Sequence, residues 1–419
     1  MRSFFLSAPA AALFVCQLLA MPAMAAEAPP LTLDAARQLA LQTNPELRAA
    51  DGALAVADGL IQQAGAYPNP TLSLLSEGLH QTDGSRTLQL NQTIELGGKR
   101  GARVDAAASA RALEQAGLEQ RRSALAADVG GAFFDVLAAQ QHVQQAQAGQ
   151  QLARSALDAA ARRVGAGKVA PLEQVRANVV LATSAIELNQ ANTELALARR
   201  KLAATWGGAD TDRPLVAPAS AAAPHPSLDE LLSHLPDAPE LLSARAAVTH
   251  RQALADVERS KRLPDLTVSV GRKRDEAGRQ LTVVGLSVPL PLFDSNHGNL
   301  LAALRQTDQA RDNQDAVRQR LTLALSEAYL RRQAANTELD LLRSDVLPAA
   351  QQARAAAGTG FALGKFSFLD VLDAQRTLFA TQAQWLRALA ERHRADMAID
   401  ALLGPTATHA PRATPATPF

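Results

Sequence analysis

Gly167-Lys168-Val169-Ala170-Pro171-Leu172-Glu173-Gln174-Val175-Arg176-Ala177 and Gly364-Lys365-Phe366-Ser367-Phe368-Leu369-Asp370-Val371-Leu372-Asp373-Ala374 are two versions of one segment. Gly, Lys, Leu, an acid and Ala recur at one offset of about 197 residues. A period this long marks a duplicated half, not a short solenoid repeat. Each half must therefore hold the same series of elements.

Working outward, both copies sit between long stretches with helical patterning. From Ala102 to Val164 the only helix breakers are glycines. Leu118, Leu125 and Ala132 recur every seventh position, as do Val129, Val136 and Val143. That is coiled-coil spacing and predicts a rod of about 90 Å. Gly165 and Gly167 turn the chain, and Leu172 to Trp206 is expected to return as helix. In the second half Asn299 to Ala357 is the long helix and Phe368 to Leu403 the returning one.

Upstream of each rod the period changes from helical to alternating. Thr71-Leu72-Ser73-Leu74 begins one hairpin, with a turn around Asp83-Gly84-Ser85. Its second strand puts Leu88, Leu90, Ile94 and Leu96 on one face, and Thr87, Gln89, Asn91, Thr93 and Glu95 on the other. Leu266 to Val270, a polar turn near Asp275 to Gly278, and Leu281 to Leu290 form the counterpart. This alternation predicts half-buried strands, over residues 71–96 and 265–290. A helix over Leu31 to Ala66, broken at Asn44-Pro45, precedes the first hairpin, and Leu228-Asp229-Glu230 and Pro239-Glu240-Leu241 repeat its signals.

The resulting division is a leader at 1–25, repeats at 31–210 and 228–404, a Pro- and Ala-rich linker at 211–227, and a disordered tail at 405–419. Arg2, an apolar run over residues 10–20, and Ala23-Met24-Ala25 match a secretory signal cleaved before Ala26. Cys16, the single cysteine, is expected to leave with it. The mature chain then has no thiol and no cysteine metal site.

Composition excludes several functions. Aromatics make up 4% of the 419 residues, and 42 basic side chains face 41 acidic ones. No nucleic-acid-binding stripe is present. The eight histidines show no pairing at helical spacing, so no metal site is expected. No nucleophile–base set, phosphate loop or dinucleotide fingerprint occurs, and neither enzymatic activity nor a cofactor is expected.

Four strands of about ten residues match bilayer thickness. An open sheet edge in lipid leaves backbone groups unpaired at several kcal/mol each, and four strands cannot close a barrel. A chain that puts these hairpins in a membrane must therefore oligomerise. Three copies in cyclic symmetry supply twelve strands. The fold class is thus mainly α with a small β part. Long antiparallel coiled-coil helices form a tunnel, and four β-strands per chain contribute to a trimeric 12-stranded β-barrel.

This plan, together with Phe368-Leu369-Asp370-Val371-Leu372-Asp373-Ala374-Gln375-Arg376-Thr377-Leu378, resembles the TolC family of outer-membrane channel proteins over residues 31–404. The segment Ile94-Glu95-Leu96-Gly97-Gly98-Lys99-Arg100-Gly101-Ala102-Arg103 is similar to the divalent-cation branch of that family. The resemblance implies a homotrimer in outer-membrane lipid, with its helical tunnel in the periplasm. Its partners would be a periplasmic adaptor (membrane fusion) protein and an inner-membrane RND pump, and its cargo divalent heavy-metal cations. A drug or organic-solute channel of the same family, and a soluble periplasmic coiled-coil scaffold, are the alternatives.

Asp370 and Asp373 lie three apart at a helix start, on one face. Either they form a pore-entrance ring that selects cations, or they only favour the helix dipole. In the first copy Glu173 and Gln174 stand in for Asp370 and Val371, so its charged ring is weaker. Gly167, Lys168, Gly364 and Lys365 mark the adaptor-docking tip that the resemblance implies. The lysines alternatively only solvate a loop.

Overall fold

A computed structural model describes residues 30–78, 84–208, 213–216, 226–363 and 365–404. The leader, Cys16, Asp83, Gly364 and the tail at 405–419 lie outside the described residues.

The first half opens with α1 (Leu33–Thr43) and α2 (Pro45–Ala64). Thr32 caps α1, its side chain accepting from the Ala35 amide. Asn44 breaks the pair as the sequence predicts: Oδ1 accepts from the amides of Glu46 and Leu47, while Nδ2 donates to the Thr205 carbonyl at 2.8 Å. Pro45 follows at the first helical position, where a missing N–H costs nothing. β1 (Thr71–Glu77) and β2 (Ser85–Ile94) lead into α3 (Lys99–Gly165), and α4 (Pro171–Ala204) returns antiparallel to it. At 67 residues α3 is about 100 Å long.

The second half runs in the same order. α5 (Leu228–Ser233), a 3₁₀ turn (Leu235–Asp237) and α6 (Pro239–Ser260) precede β3 (Leu266–Arg274) and β4 (Gln280–Ser287). α7 (His297–Leu341) and α8 (Leu347–Ala362) form the long rod, and α9 (Phe368–Leu403) returns. A π turn at Leu342–Val346 separates α7 from α8. This corrects the expectation of one uninterrupted helix. Pro348 has no amide to donate and its ring crowds the carbonyl four residues earlier, so the preceding turn widens. The rod also runs five residues past Ala357.

The strands differ from the alternation in extent. β2 and β4 end at Ile94 and Ser287, which leaves Leu96 and Leu290 outside the ladder. Pro289 cannot donate to a ladder. β3 continues through Gly271 to Arg274, past the expected end at Val270. Gly271 allows the close approach, since a Cβ there would lie 2.5 Å from the Leu88 carbonyl oxygen. Ser85 belongs to β2 and not to the turn: it is buried and donates to Glu77 Oε2 at 2.7 Å.

Two equivalent cores hold the rods. In the first, Val129, Phe133 and Val136 of α3 pack with Ala36 and Ala40 of α1 and with Leu202, and Trp206 folds in just beyond α4. The linker contributes Leu215, which bridges Leu31 in parallel. In the second, Leu321 and Leu325 of α7 pack with Leu231, Leu241 and Ile399. Fully burying one such side chain stabilises by about 1.5–3 kcal/mol. Elsewhere Ala dominates the buried positions of α3 and α4, which lets the helices approach closely. α9 packs on both α3 and α7, so the helices form a layer with α4 toward one side and α7–α8 toward the other.

Candidate functional site

At the tip of the first rod Gly167 takes φ 68°, a left-handed angle that only glycine adopts without strain. The amides of Gly167 and Lys168 donate to the carbonyls of Val164 and Arg163, and the chain turns. The second tip is built differently. The amides of Lys365 and Phe366 converge on the Gly360 carbonyl, and the Phe366 ring occupies the space where a Cβ on residue 360 would sit. Lys168 and Lys365 are exposed. Across the tips, the Arg163 guanidinium lies 5.0 Å from the centre of the Phe361 ring.

The two acids of the second tip are not equivalent. Asp370 Oδ2 accepts from the Ser367 amide at 2.7 Å and from Ser367 Oγ at 2.8 Å, and the Asp370 amide donates back to Ser367 Oγ. This reciprocal cap starts α9. The Ser367 hydroxyl, then its amide, hold the Asp370 carboxyl below the usual carboxylate range. Asp373 is exposed one turn on, and among the described residues its carboxylate has no polar partner. Asp370 is therefore tied to the cap, and Asp373 is the freer charge. The sequence reading missed this cap, for which the Ser367-x-x-Asp370 spacing was the available signal, whereas the contact of Arg163 with Phe361 left no local signal. Behind the acids, Arg354 Nε donates to Gln375 at 3.1 Å. No group of three or more His, Cys, Asp or Glu converges among the described residues.

The Gly97-Gly98-Lys99-Arg100-Gly101-Ala102-Arg103 run forms the joint between sheet and rod. Gly97 and Gly98 take φ 71° and 72°. A Cβ on Gly97 would lie 2.8 Å from a Leu263 methyl. Lys99 Nζ bonds Asp265 Oδ1 at 2.7 Å, and that same oxygen accepts from the Leu96 amide. Arg103 pairs with Glu95. Arg100 donates to the Gly65 carbonyl and stacks 4.3 Å above Tyr67. Every cation of the run is thus engaged where β2 becomes α3.

The four strands form one antiparallel sheet, β1-β2-β3-β4, and β2 pairs with β3 across the two halves from Ile94↔Leu266 to Arg86↔Arg274. One face carries Leu72, Leu74, Leu88, Leu90, Val270, Val284 and Leu286, all exposed, Leu286 at 72%. The other carries Ser73, Thr87, Gln89, Asn91, Ser269 and Lys273, with Thr87 and Ser269 buried. Apolar side chains thus concentrate on the outward face, and the other face is polar apart from Leu75, Leu281 and Val283. No strand pairs with the outer edge of β1 or of β4 among the described residues. Exposed apolar stripes follow the same two sides of the helical layer. Leu172, Val175, Val179 and Ile186 lie on α4, and Leu323, Leu330 and Leu341 on α7.

A sheet apolar outside and polar inside, open at both edges and set on rods of this length, defines a subunit of an outer-membrane channel with a helical tunnel. The family model "Outer membrane efflux protein" matches residues 36–208 and 233–405. The chain belongs to the outer membrane efflux protein family. It is 43% identical over 380 residues, 90% of both chains, to the cobalt-zinc-cadmium resistance protein CzcC of Cupriavidus metallidurans. It is 30% identical to the nickel-cobalt-cadmium resistance protein NccC of Alcaligenes xylosoxydans xylosoxydans, over 70% of this chain and 68% of that one. The solved outer-membrane channel OprN superposes with a TM-score of 0.76 at 21% identity, covering 89% of each chain. No described helix is long and apolar enough to cross a membrane.

Proposed function

We propose that three copies close into a passive exit duct for divalent heavy-metal cations, the outer-membrane component of a tripartite efflux system. The coincidence of open edges carries this reading. α2, which leads into β1, and α4 both pack on α3, while α7, which follows β4, packs on α6 and α9. The open edge of β1 and the apolar stripe of α4 therefore fall toward one side of the layer, and the edge of β4 and the stripe of α7 toward the other. A head-to-tail contact of one side with the other closes a ring and pairs every strand in lipid.

Residues 31–210 and 228–404 act as the two copies of one structural unit, after removal of the leader. The tips around Gly167, Lys168, Gly364 and Lys365 dock the periplasmic adaptor, and an RND pump in the inner membrane supplies the energy. The duct catalyses no reaction. At its entrance three copies bring Asp370 and Asp373 together. Asp370 keeps its charge but is held in the cap, whereas the Asp373 carboxylate is free to turn toward a passing cation. Such a ring draws cations in without holding them. The metal cargo rests on similarity to two proteins named for metal resistance.

Deleting this chain and plating the strain on zinc, cobalt and cadmium tests the reading. Sensitivity to metals, restored by the intact gene, is expected. Unchanged metal tolerance with new sensitivity to organic toxicants contradicts the cargo assignment and keeps the duct.

A further inference from the structure

The outward face of the sheet ends in an arginine cluster that the duct does not use. Along β2 and β3 the outward-facing cross-strand pairs are, from the helical end, Ile94↔Leu266, Gln92↔Val268, Leu90↔Val270, Leu88↔Arg272 and Arg86↔Arg274. The apolar rows thus give way to three guanidinium groups at the end nearest the hairpin turns. Arg86 and Arg274 stand directly opposite one another. Like charges in that relation destabilise a sheet. All three are exposed, and among the described residues none forms an ion pair. Among the described residues, Glu77 binds Lys273 and Ser85 on the opposite face and Asp275 binds Arg279 within the turn, while Glu276 in that turn is exposed and pairs with none of the three arginines.

The height of the cluster identifies its surroundings. From the Ile94 row to the Arg86 row is eight residues of strand, about 20 Å of membrane normal at a barrel's usual tilt. The apolar band of an outer-membrane barrel is about 25 Å tall, so the arginines lie at its upper boundary and not in its middle. With the rods entering from the opposite end, that boundary is the outer leaflet. Guanidinium forks match phosphate oxygens bidentately.

We propose that Arg86, Arg272 and Arg274 bind the phosphate groups of a phosphorylated glycolipid in the outer leaflet, one site on each copy. This rests on the membrane placement proposed above. The bound anion removes the repulsion between Arg86 and Arg274 and fixes the sheet's depth in the bilayer.

The test compares wild-type protein with the Arg86→Gln/Arg272→Gln/Arg274→Gln variant. Both are purified in neutral detergent and incubated with diphosphorylated lipid A, with its dephosphorylated form, or with inorganic phosphate, and bound lipid is read by native mass spectrometry. Wild type is expected to retain lipid A over the dephosphorylated form by at least about tenfold, the worth of one charge-assisted hydrogen bond. The triple variant is expected to lose that preference, and a triple Lys variant to keep part of it. Equal retention by wild type and the Gln variant overturns the proposal. So does inorganic phosphate binding that depends on the arginines without lipid retention, since that marks a soluble-anion site. Conductance of both proteins in phosphatidylcholine bilayers separates the two claims. Normal conductance without glycolipid retention overturns this proposal alone, and failure of wild type to insert overturns the membrane placement with it.

Discussion

Lys99 Nζ lies 2.7 Å from Asp265 Oδ1 and joins the first residue of α3 to the approach of β3, 166 positions along the chain. The bond ties the rod of one half to the sheet of the other, where the polypeptide changes from strand to helix. Both side chains are more than two-thirds shielded, so the pair is worth more than a surface salt bridge. Lys99→Met is expected to cost about 1–2 kcal/mol, the range for a hydrogen bond to a charged group. Asp265→Asn should cost less, because the Leu96 amide still finds an acceptor. Thermal melting of the assembled protein in detergent, run as a double-mutant cycle, measures the coupling. Additive losses would show that the two side chains do not support one another.

Asp370 and Asp373 separate under substitution because only one is part of the cap. Asp373→Asn is expected to leave melting unchanged and to weaken block of the channel by divalent cations added on the periplasmic side. Asp370→Asn is expected to lower melting and loosen the first turn of α9, since the cap with Ser367 loses its charge-assisted bonds. Single-channel recording alongside melting distinguishes them. An unchanged block in Asp373→Asn removes it from the entrance.

His393 is expected to make the helical layer sensitive to acid. Its ring stacks on Phe134 at 3.6 Å between centres, and Arg392 donates toward Nε2 at 3.3 Å. Burial first, then the Arg392 charge, lowers its pKa to about 4 from an ordinary 6.5. The unfolded chain therefore binds the proton first as pH falls. Stability is complete above pH 6.5 and is lost progressively down to about 4, by up to about 1 kcal/mol per pH unit and chain given the partial exposure of the ring. His393→Phe keeps the stack and should flatten that dependence. An equal acid slope in wild type and variant assigns the sensitivity to other groups.

Helical rods and their ends were legible because their signals are local. The seven-residue recurrence of Val129, Val136 and Val143 specifies the buried seam of α3. Pro45 and Pro239 mark helix starts in both halves, and α9 begins and ends at Phe368 and Leu403 as the pattern predicts. The π turn was missed because the helical pattern runs on through Leu341 and Val346, although Pro348 was the one sequence signal for it. Strand ends were misplaced for another reason. Alternation reaches Leu96 and Leu290, but the ladder stops where the partner strand stops.

The candidate site divides the same way. Asp370 and Asp373 were visible from their spacing, but the engagement of Asp370 by Ser367 and the freedom of Asp373 emerged only from geometry. The cations of Lys99, Arg100 and Arg103 looked like a signature of a branch, and the structure makes them a mechanical joint. Their partners Asp265 and Tyr67 are distant in sequence and carry no pattern that announces them.

The central claim is that one copy leaves two sheet edges open and three copies close them. Native mass spectrometry of the purified mature chain, released from detergent micelles, tests this most directly. The account predicts a single species of three chains that needs detergent or lipid to stay in solution. A monomer freely soluble in water, with no detergent or lipid bound, would contradict it.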